Sequence, residues 1–306
     1  MAKEKNGRQS AKELELYGDE WDRIGLKELL AGEHDGLYKG KSKFQDIQVI
    51  RAEDIRLYLN EQLQFSSLDE RIYHEAFVHV PFALGRPIRS VLVLGGGDGL
   101  ALREILKYES VEEVDLVDID GKVVSLAKKV PVLVKLNERS FFDKRVRTHI
   151  EDAKQFIERN EKVYDLMIID FPDPTNELLA SLYTRELFRQ LHASLSDHGL
   201  IVCQSNALDA TPTVFWSIGM TLAHAGFHTQ AYHTIIPSFG DWGFQMAAKT
   251  SISLKFNPVA VPHRTLPKQL STLFSFAPYY EEYKKGATVN SASNLILHHI
   301  FKQENI

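Results

Sequence analysis

A single cysteine, Cys203, in 306 residues excludes an internal disulfide and leaves no sign of an oxidising compartment. Long apolar runs are missing too. No window approaches the roughly 18 apolar residues a membrane span needs, and the basic first ten residues have no apolar stretch behind them. A cytoplasmic chain, neither secreted nor membrane-bound, is the expectation. Positive charge is also short, with Lys and Arg at 36 against Asp and Glu at 41 for a net −5, so no global field exists to draw nucleic acid. A small cationic partner suits that balance better. Repeats and low-complexity blocks are absent, and no spacing of the 12 histidines makes a metal site. What is there, 44% apolar and 25% charged residues, is enough to bury one large core or two unequal ones.

The texture changes along the chain. Residues 1–10 are polar, and Trp21, Ile24, Leu26, Leu29 and Leu30 can form one side of a short helix, giving a polar and helical segment over 1–35. Stretches 45–50 and 54–59 alternate polar with apolar, which predicts a small antiparallel β domain over 36–75. Strands at 90–94, 113–119, 146–150, 164–169 and 200–204 alternate with helices at 99–108, 121–129, 152–159, 183–195 and 212–226. That is the pattern of a parallel sheet with helices on both faces. Strands at 227–236 and 243–248 lack a helix between them, which predicts an antiparallel edge pair. This α/β domain is expected over 76–256, followed by a proline-punctuated, partly helical extension over 257–306.

The chemistry gathers at strand ends. Residues 91–99, Val-Leu-Val-Leu-Gly-Gly-Gly-Asp-Gly, run a buried strand into a glycine turn at Gly95, Gly97 and Gly99, where backbone turns sharply and a ligand can approach. The dinucleotide fingerprint needs its third glycine one position later, where Leu100 stands. Asp118 ends the second strand, 23 residues after Gly95, where a carboxylate can accept both ribose hydroxyls. Asp152 follows the third, placed for an adenine edge, a helix N-cap, or both. Ligands in open α/β folds sit at this carboxyl edge, so Gly, Asp and Asp on successive strands favour an adenosine-bearing molecule. The fourth strand ends in a stiff loop, Asp170-Phe-Pro-Asp-Pro174, with Asp98 at the same edge. Carboxylates clustered this way repel one another, and a polycation would relieve the cost.

In order, Tyr73-His-Glu with Val80-Pro81, Gly95-Gly-Gly-Asp-Gly99, Val117-Asp-Ile-Asp120, Glu151-Asp-Ala153, Asp170-x2-Asp-Pro174 and Ile236-Pro-Ser-Phe-Gly-x-Trp-Gly243 resemble the spermidine synthases, the polyamine aminopropyltransferases. The resemblance covers about residues 36–250 and is nearest to the soluble domain of a bacterial branch often fused to a membrane bundle. It implies a Rossmann-like, methyltransferase-type sheet. It also implies transfer of an aminopropyl group from decarboxylated S-adenosylmethionine, used as co-substrate, to putrescine or another polyamine. Carried over, Asp170 is the base, helped by Tyr73. Asp98 and Asp173 hold amines, Asp118 the ribose and Asp152 the adenine. Gln45, Gln64 and His74 match positions at the cofactor or acceptor pocket. Family members are commonly dimers or tetramers, so a homo-oligomer is expected.

Departures bear on the acceptor. Phe239 stands where the family usually has Tyr, Asp118 replaces a more usual Glu, and the loop after Asp173 lacks a Gly-Pro pair. Trp242 is either a wall of the acceptor pocket or core. Two other functions fit the same sheet: methyl transfer from intact S-adenosylmethionine, and non-catalytic binding of a nucleoside or polyamine. Cys203 reads as a core residue and His298-His299 as helix surface.

Overall fold

The computed structural model describes residues 20–305, so the polar segment 1–10 lies outside the described residues. Two compact units divide at Ser66/Ser67. The first holds helix α1 (Glu20–Ala31) and a four-stranded antiparallel sheet in sequence order: β1 (Asp35–Lys41), β2 (Asp46–Arg51), β3 (Ile55–Leu59) and β4 (Gln62–Ser66). Alternation marks one face of β2, where Ile47 and Val49 are buried and Asp46 and Gln48 are partly exposed; Ile50 and, on β3, Leu57 and Tyr58 are buried as well. The expected apolar side of α1 is only partly used. Leu26 is buried, whereas Trp21, Ile24 and Leu30 are exposed.

The predicted β domain ended at residue 75, but residues 70–75 open a helix of the second unit, α2 (Glu70–Ala83). Buried Glu70, His74, Glu75 and His79 interrupt its apolar pattern, which is why periodicity did not announce it. Next come β5 (Ser90–Gly95), α3 (Leu100–Ile105), β6 (Glu113–Asp118), α4 (Gly121–Lys129), α5 (Pro131–Leu136), β7 (Val146–Ile150), α6 (Ala153–Arg159) and β8 (Tyr164–Asp170). The chain continues through α7 (Glu177–Ala180), α8 (Arg185–Ala193), β9 (Leu195–Ala207), α9 (Pro212–His224), β10 (His228–Ile236) and β11 (Gly240–Ala248), and ends in α10 (Pro278–Glu282) and α11 (Leu297–Glu304).

Seven strands form one sheet in the order β10-β11-β9-β8-β5-β6-β7. Strands β5 to β9 pair in parallel, and β10 and β11 form the expected antiparallel pair at one edge. Because a strand alternates its side chains, Val91, Val93 and Ile168 feed one core with α2 and α3, while Leu92, Leu94, Ile169 and Cys203 feed the other with α8 and α9. Cys203 is thus a core residue. His298 is buried on α11, against the expectation of a surface pair, and only His299 is exposed.

The extension after residue 257 adds Leu270, Leu273 and Leu297 to the two cores and is also fastened by polar groups. Glu75 of α2 accepts from the Arg264 and Thr265 backbone N–H groups at 2.9 and 2.8 Å and from Thr265 Oγ1 at 2.6 Å. Glu304 accepts from Thr213 and Val214 N–H at the start of α9, where the helix dipole favours an anion.

Candidate active site

Strands β5 and β8 meet so closely at their carboxyl ends that only glycine fits. Gly95 pairs with Asp170, has φ +85°, and a Cβ there would stand 2.1 Å from the Asp170 carbonyl oxygen. The next turn follows the same logic: a Cβ on Gly97 would stand 2.6 Å from Asp118 Oδ2. The glycines thus bring three carboxylates, those of Asp98, Asp118 and Asp170, to one edge of the sheet. None of the three makes an ion pair among the described residues.

Each carboxylate is oriented differently. Asp98 Oδ1 accepts from Leu100 N–H at 2.8 Å, at the start of α3. Asp118 Oδ1 accepts from Asp120 N–H at 2.7 Å. Asp170 Oδ1 accepts from the Tyr73 hydroxyl at 2.5 Å, so α2 supplies the donor that aims the end of β8. Burial dominates their acidity and like charge adds to it. Asp170 is pushed up to about 6 by desolvation and by Asp98, against the opposing pull of His74 and the Tyr73 bond. Asp118 rises to about 7 through desolvation, with Asp120 and Asp98 adding to it and backbone N–H groups opposing. Burial also raises Asp98, and burial beside Asp170 holds the Tyr73 phenol well above its ordinary value.

The loop after β8 is braced from beneath. Gln204 of β9 donates through Nε2 to the Phe171 carbonyl at 2.6 Å, to Asp173 Oδ1 at 3.2 Å and to the Tyr183 hydroxyl at 2.8 Å. The Tyr183 hydroxyl donates to the Phe171 and Pro172 carbonyls at 2.9 and 3.1 Å. The backbone of the loop that carries Asp173 is therefore held by residues that the sequence did not single out. Asp152 is an N-cap, its Oδ1 accepting from Lys154 N–H at 2.7 Å, which leaves its second oxygen available to a ligand.

The hairpin turn 236–240 carries Phe239 beside Trp242, their rings 5.4 Å apart and edge-on, with Trp242 6.3 Å from Tyr73. Ser238 fixes the turn by donating through N–H and Oγ to the Asp69 carboxylate at 2.7 and 2.9 Å, just before α2. Two buried polar atoms near this end of the sheet have no partner among the described residues: Trp242 Nε1 and Asn206 Oδ1, the latter on a residue with φ +70°. Buried atoms like these are normally satisfied, and an orphan asks for a ligand.

His74 also comes to this site through α2, and its charge acts on Asp98 and Asp170. Its neighbours Glu70 and Arg103 escaped the sequence reading; a helix over 70–83 would have placed Glu70 and His74 one turn apart on one face. Gln45 and Gln64 belong to the first unit, Gln45 just before β2 and Gln64 within β4.

Residues 70–258 match the spermine/spermidine synthase domain. Polyamine aminopropyltransferase 2 of Bacillus anthracis is 52% identical over 291 residues, which is 94% of this chain and 81% of that protein. Polyamine aminopropyltransferase 2 of Ralstonia nicotianae is 44% identical over 78% of this chain and 47% of its own length. Among solved structures, a spermidine synthase in complex with the transition-state analogue AdoDATO aligns with a TM-score of 0.76 at 25% identity, covering 82% of this chain and 88% of that one. The Thermotoga maritima spermidine synthase aligns with a TM-score of 0.75 over 82% of this chain and 87% of its own.

Proposed function

Since the chain belongs to the spermine/spermidine synthase family of transferases, we propose that it moves the aminopropyl group of decarboxylated S-adenosylmethionine to putrescine, releasing methylthioadenosine. The observation that carries this reading is the pair Tyr73 and Asp170, joined at 2.5 Å beside Asp98. The amine nitrogen attacks the carbon next to the sulfonium; the C–N bond forms while the C–S bond breaks and its electrons return to sulfur. A sulfonium leaves readily, so positioning and a neutral nucleophile are the main needs. An alkyl ammonium has an ordinary pKa of about 10, like lysine, so a base must take its proton near neutrality. Asp170, at about 6, is ionised at neutral pH and still more basic than an exposed carboxylate.

In this reading Asp98 and Asp173 hold amines, Asp118 the ribose and Asp152 the adenine, with His74, Phe239 and Trp242 completing the pockets. Asp98 favours the decarboxylated molecule over intact S-adenosylmethionine, whose amino-acid carboxylate it repels. A cytoplasmic homo-oligomer is part of this proposal, and light scattering measures the assembly.

Calorimetric titration with methylthioadenosine, followed by a mass-spectrometric search for products from a panel of amines, is the test. Aminopropylated putrescine and free methylthioadenosine are expected. Methyl transfer without methylthioadenosine overturns the reading, as does tight nucleoside binding with no product from any amine.

A further inference from the structure

His74 is only 3% exposed, and its two ring nitrogens have different surroundings. Nδ1 lies 2.7 Å from the Glu70 carbonyl oxygen and 3.0 Å from Glu70 Oε2. With Glu70 ionised, both partners are acceptors, so Nδ1 carries a proton and donates it. Nε2 makes no hydrogen bond among the described residues. Glu70 cannot swing away, because Arg103 grips it with Nη1 at 2.7 Å and Nη2 at 2.8 Å. Arg103 is itself fixed by Glu104 Oε1 at 2.7 Å and the Leu136 carbonyl at 2.9 Å.

The charges facing the ring come from four places: Glu70 on its own helix, Asp98 from the turn after β5, Arg103 from α3, and Asp170 from the end of β8. Burial opposes a charged ring, but the Glu70 bond and the Glu70 and Asp98 charges outweigh it and raise His74 above its ordinary value. Glu70 in turn is held down at about 2: burial works against ionisation, and His74 and Arg103 overcome it.

We propose that Glu70, clamped by Arg103, is a positioning residue for the transfer reaction: it commits His74 Nδ1 and leaves Nε2 to the substrate, the charged ring counterbalancing Asp98 and Asp170 and the neutral ring accepting from an amine. The part about the reaction rests on the aminopropyl reading above; the part about the ring does not. A histidine with both nitrogens free could turn over or present either tautomer. Glu70 removes that freedom before any substrate arrives, which is the value of a second layer around a site.

Glu70→Gln keeps an acceptor oxygen and deletes the charge. In nitrogen-15 NMR of the substrate-free protein over a pH series, the wild-type His74 ring should stay charged to higher pH than in E70Q, and once neutral should keep its proton on Nδ1 where E70Q shows mixed tautomers. In kinetics, loss of the ring's charge leaves Asp170 protonated to higher pH. kcat/KM for the amine should then fall roughly threefold to tenfold at pH 6.5 and stay within about twofold of wild type at pH 9. Glu70→Asp, which restores the charge one methylene further back, should recover part of both signals. Identical His74 spectra in wild type and E70Q overturn the proposal, as does an unmoved acid limb in an active E70Q. If circular dichroism shows E70Q unfolded, wild type itself carries the NMR arm, and mixed His74 tautomers in its neutral ring overturn the proposal. The spectra need no turnover, so even a protein that fails to transfer aminopropyl groups tests whether Glu70 sets the state of His74.

Discussion

Two clusters of ionisable side chains lie within a few residues of each other and follow opposite rules. Glu70, Arg103, Glu104 and His79 are all nearly or fully buried and fully paired: Arg103 bridges the two glutamates, and Glu104 also receives His79 Nε2 at 2.8 Å and Lys107 Nζ at 2.5 Å. Asp98, Asp118 and Asp170 crowd the neighbouring strand ends with no ion pair among the described residues. In the first cluster, burial works against ionisation and partners overcome it, so Glu70 falls to about 2 and Glu104 is held well down. In the second, burial wins and the acids rise to about 6 and 7. Burial is common to both. What separates a structural cluster from a reactive one is whether the protein pairs each acid with a bonded counter-charge or leaves that pairing to a ligand.

Removing a partner from the satisfied cluster should therefore be the most damaging change. Arg103→Met leaves Glu70 and Glu104 facing each other in a buried site and should cost about 3–5 kcal/mol of stability, read as a lower midpoint in urea. A loss below ~1 kcal/mol would mean that the network is wet and that the contrast fails.

In the unsatisfied cluster the largest effect is on chemistry. Asp170→Asn should lower turnover with saturating substrates by roughly 10²-fold or more while methylthioadenosine still binds, as calorimetry can measure. Wild-type turnover in this variant removes Asp170 as the base.

The same substitution should act on stability in the opposite direction to Arg103→Met. A carboxyl whose folded pKa is raised binds its proton more tightly in the folded state, so stability is lost as pH climbs from the unfolded value near 4 to the folded value near 6. That rise corresponds to ~3 kcal/mol, reduced to about 1–2 kcal/mol by water reaching the half-buried group. Substrate-free Asp170→Asn should thus melt above wild type at pH 8 and level with it at pH 4. Glu70 has the reverse sign: its contribution is full above about pH 4.5 and disappears as pH falls toward 2. A midpoint for Asp170→Asn that is equal to wild type at both pH values would show that the carboxylates do not strain the empty site.

The difference between the clusters also decides what the sequence could reveal. Strand ends with Gly95, Asp98, Asp118 and Asp170 were legible because short apolar runs and glycine turns mark them, and the parallel sheet emerged from alternation with helices. Helix α2 was not, because buried Glu70, His74, Glu75 and His79 break the stripe that announces a helix, and Asp69 at its start bonds Ser238 instead of capping it. Gln204 and Tyr183, which brace the loop of Asp173, were hidden for another reason. Their work is done across 31 and 12 residues of chain, on partners that only the folded sheet brings together. Local pattern reports an element; it does not report which distant group an element's polar side chain will reach.

The smallest expected effect probes the uncharged turn that carries Phe239. Phe239 lies edge-on to Trp242 at 5.4 Å on a turn pinned by Asp69, so position 239 is held firmly whatever residue occupies it. An apolar ring there suits the methylenes of any polyamine and discriminates weakly, since one methylene in an apolar pocket is worth only ~1–3 kcal/mol. A hydroxyl at the ring's tip adds a polar contact whose benefit depends on where the acceptor's nitrogens fall. Phe239→Tyr should leave stability within about 0.5 kcal/mol, because the tip of a half-buried ring can reach water. It should change the ratios of kcat/KM among putrescine, cadaverine and spermidine by roughly twofold to tenfold, the size of a single uncharged hydrogen bond. Ratios unchanged across all three amines would mean that the turn at 239 does not touch the acceptor, and that its length preference is set by the carboxylates at the strand ends alone.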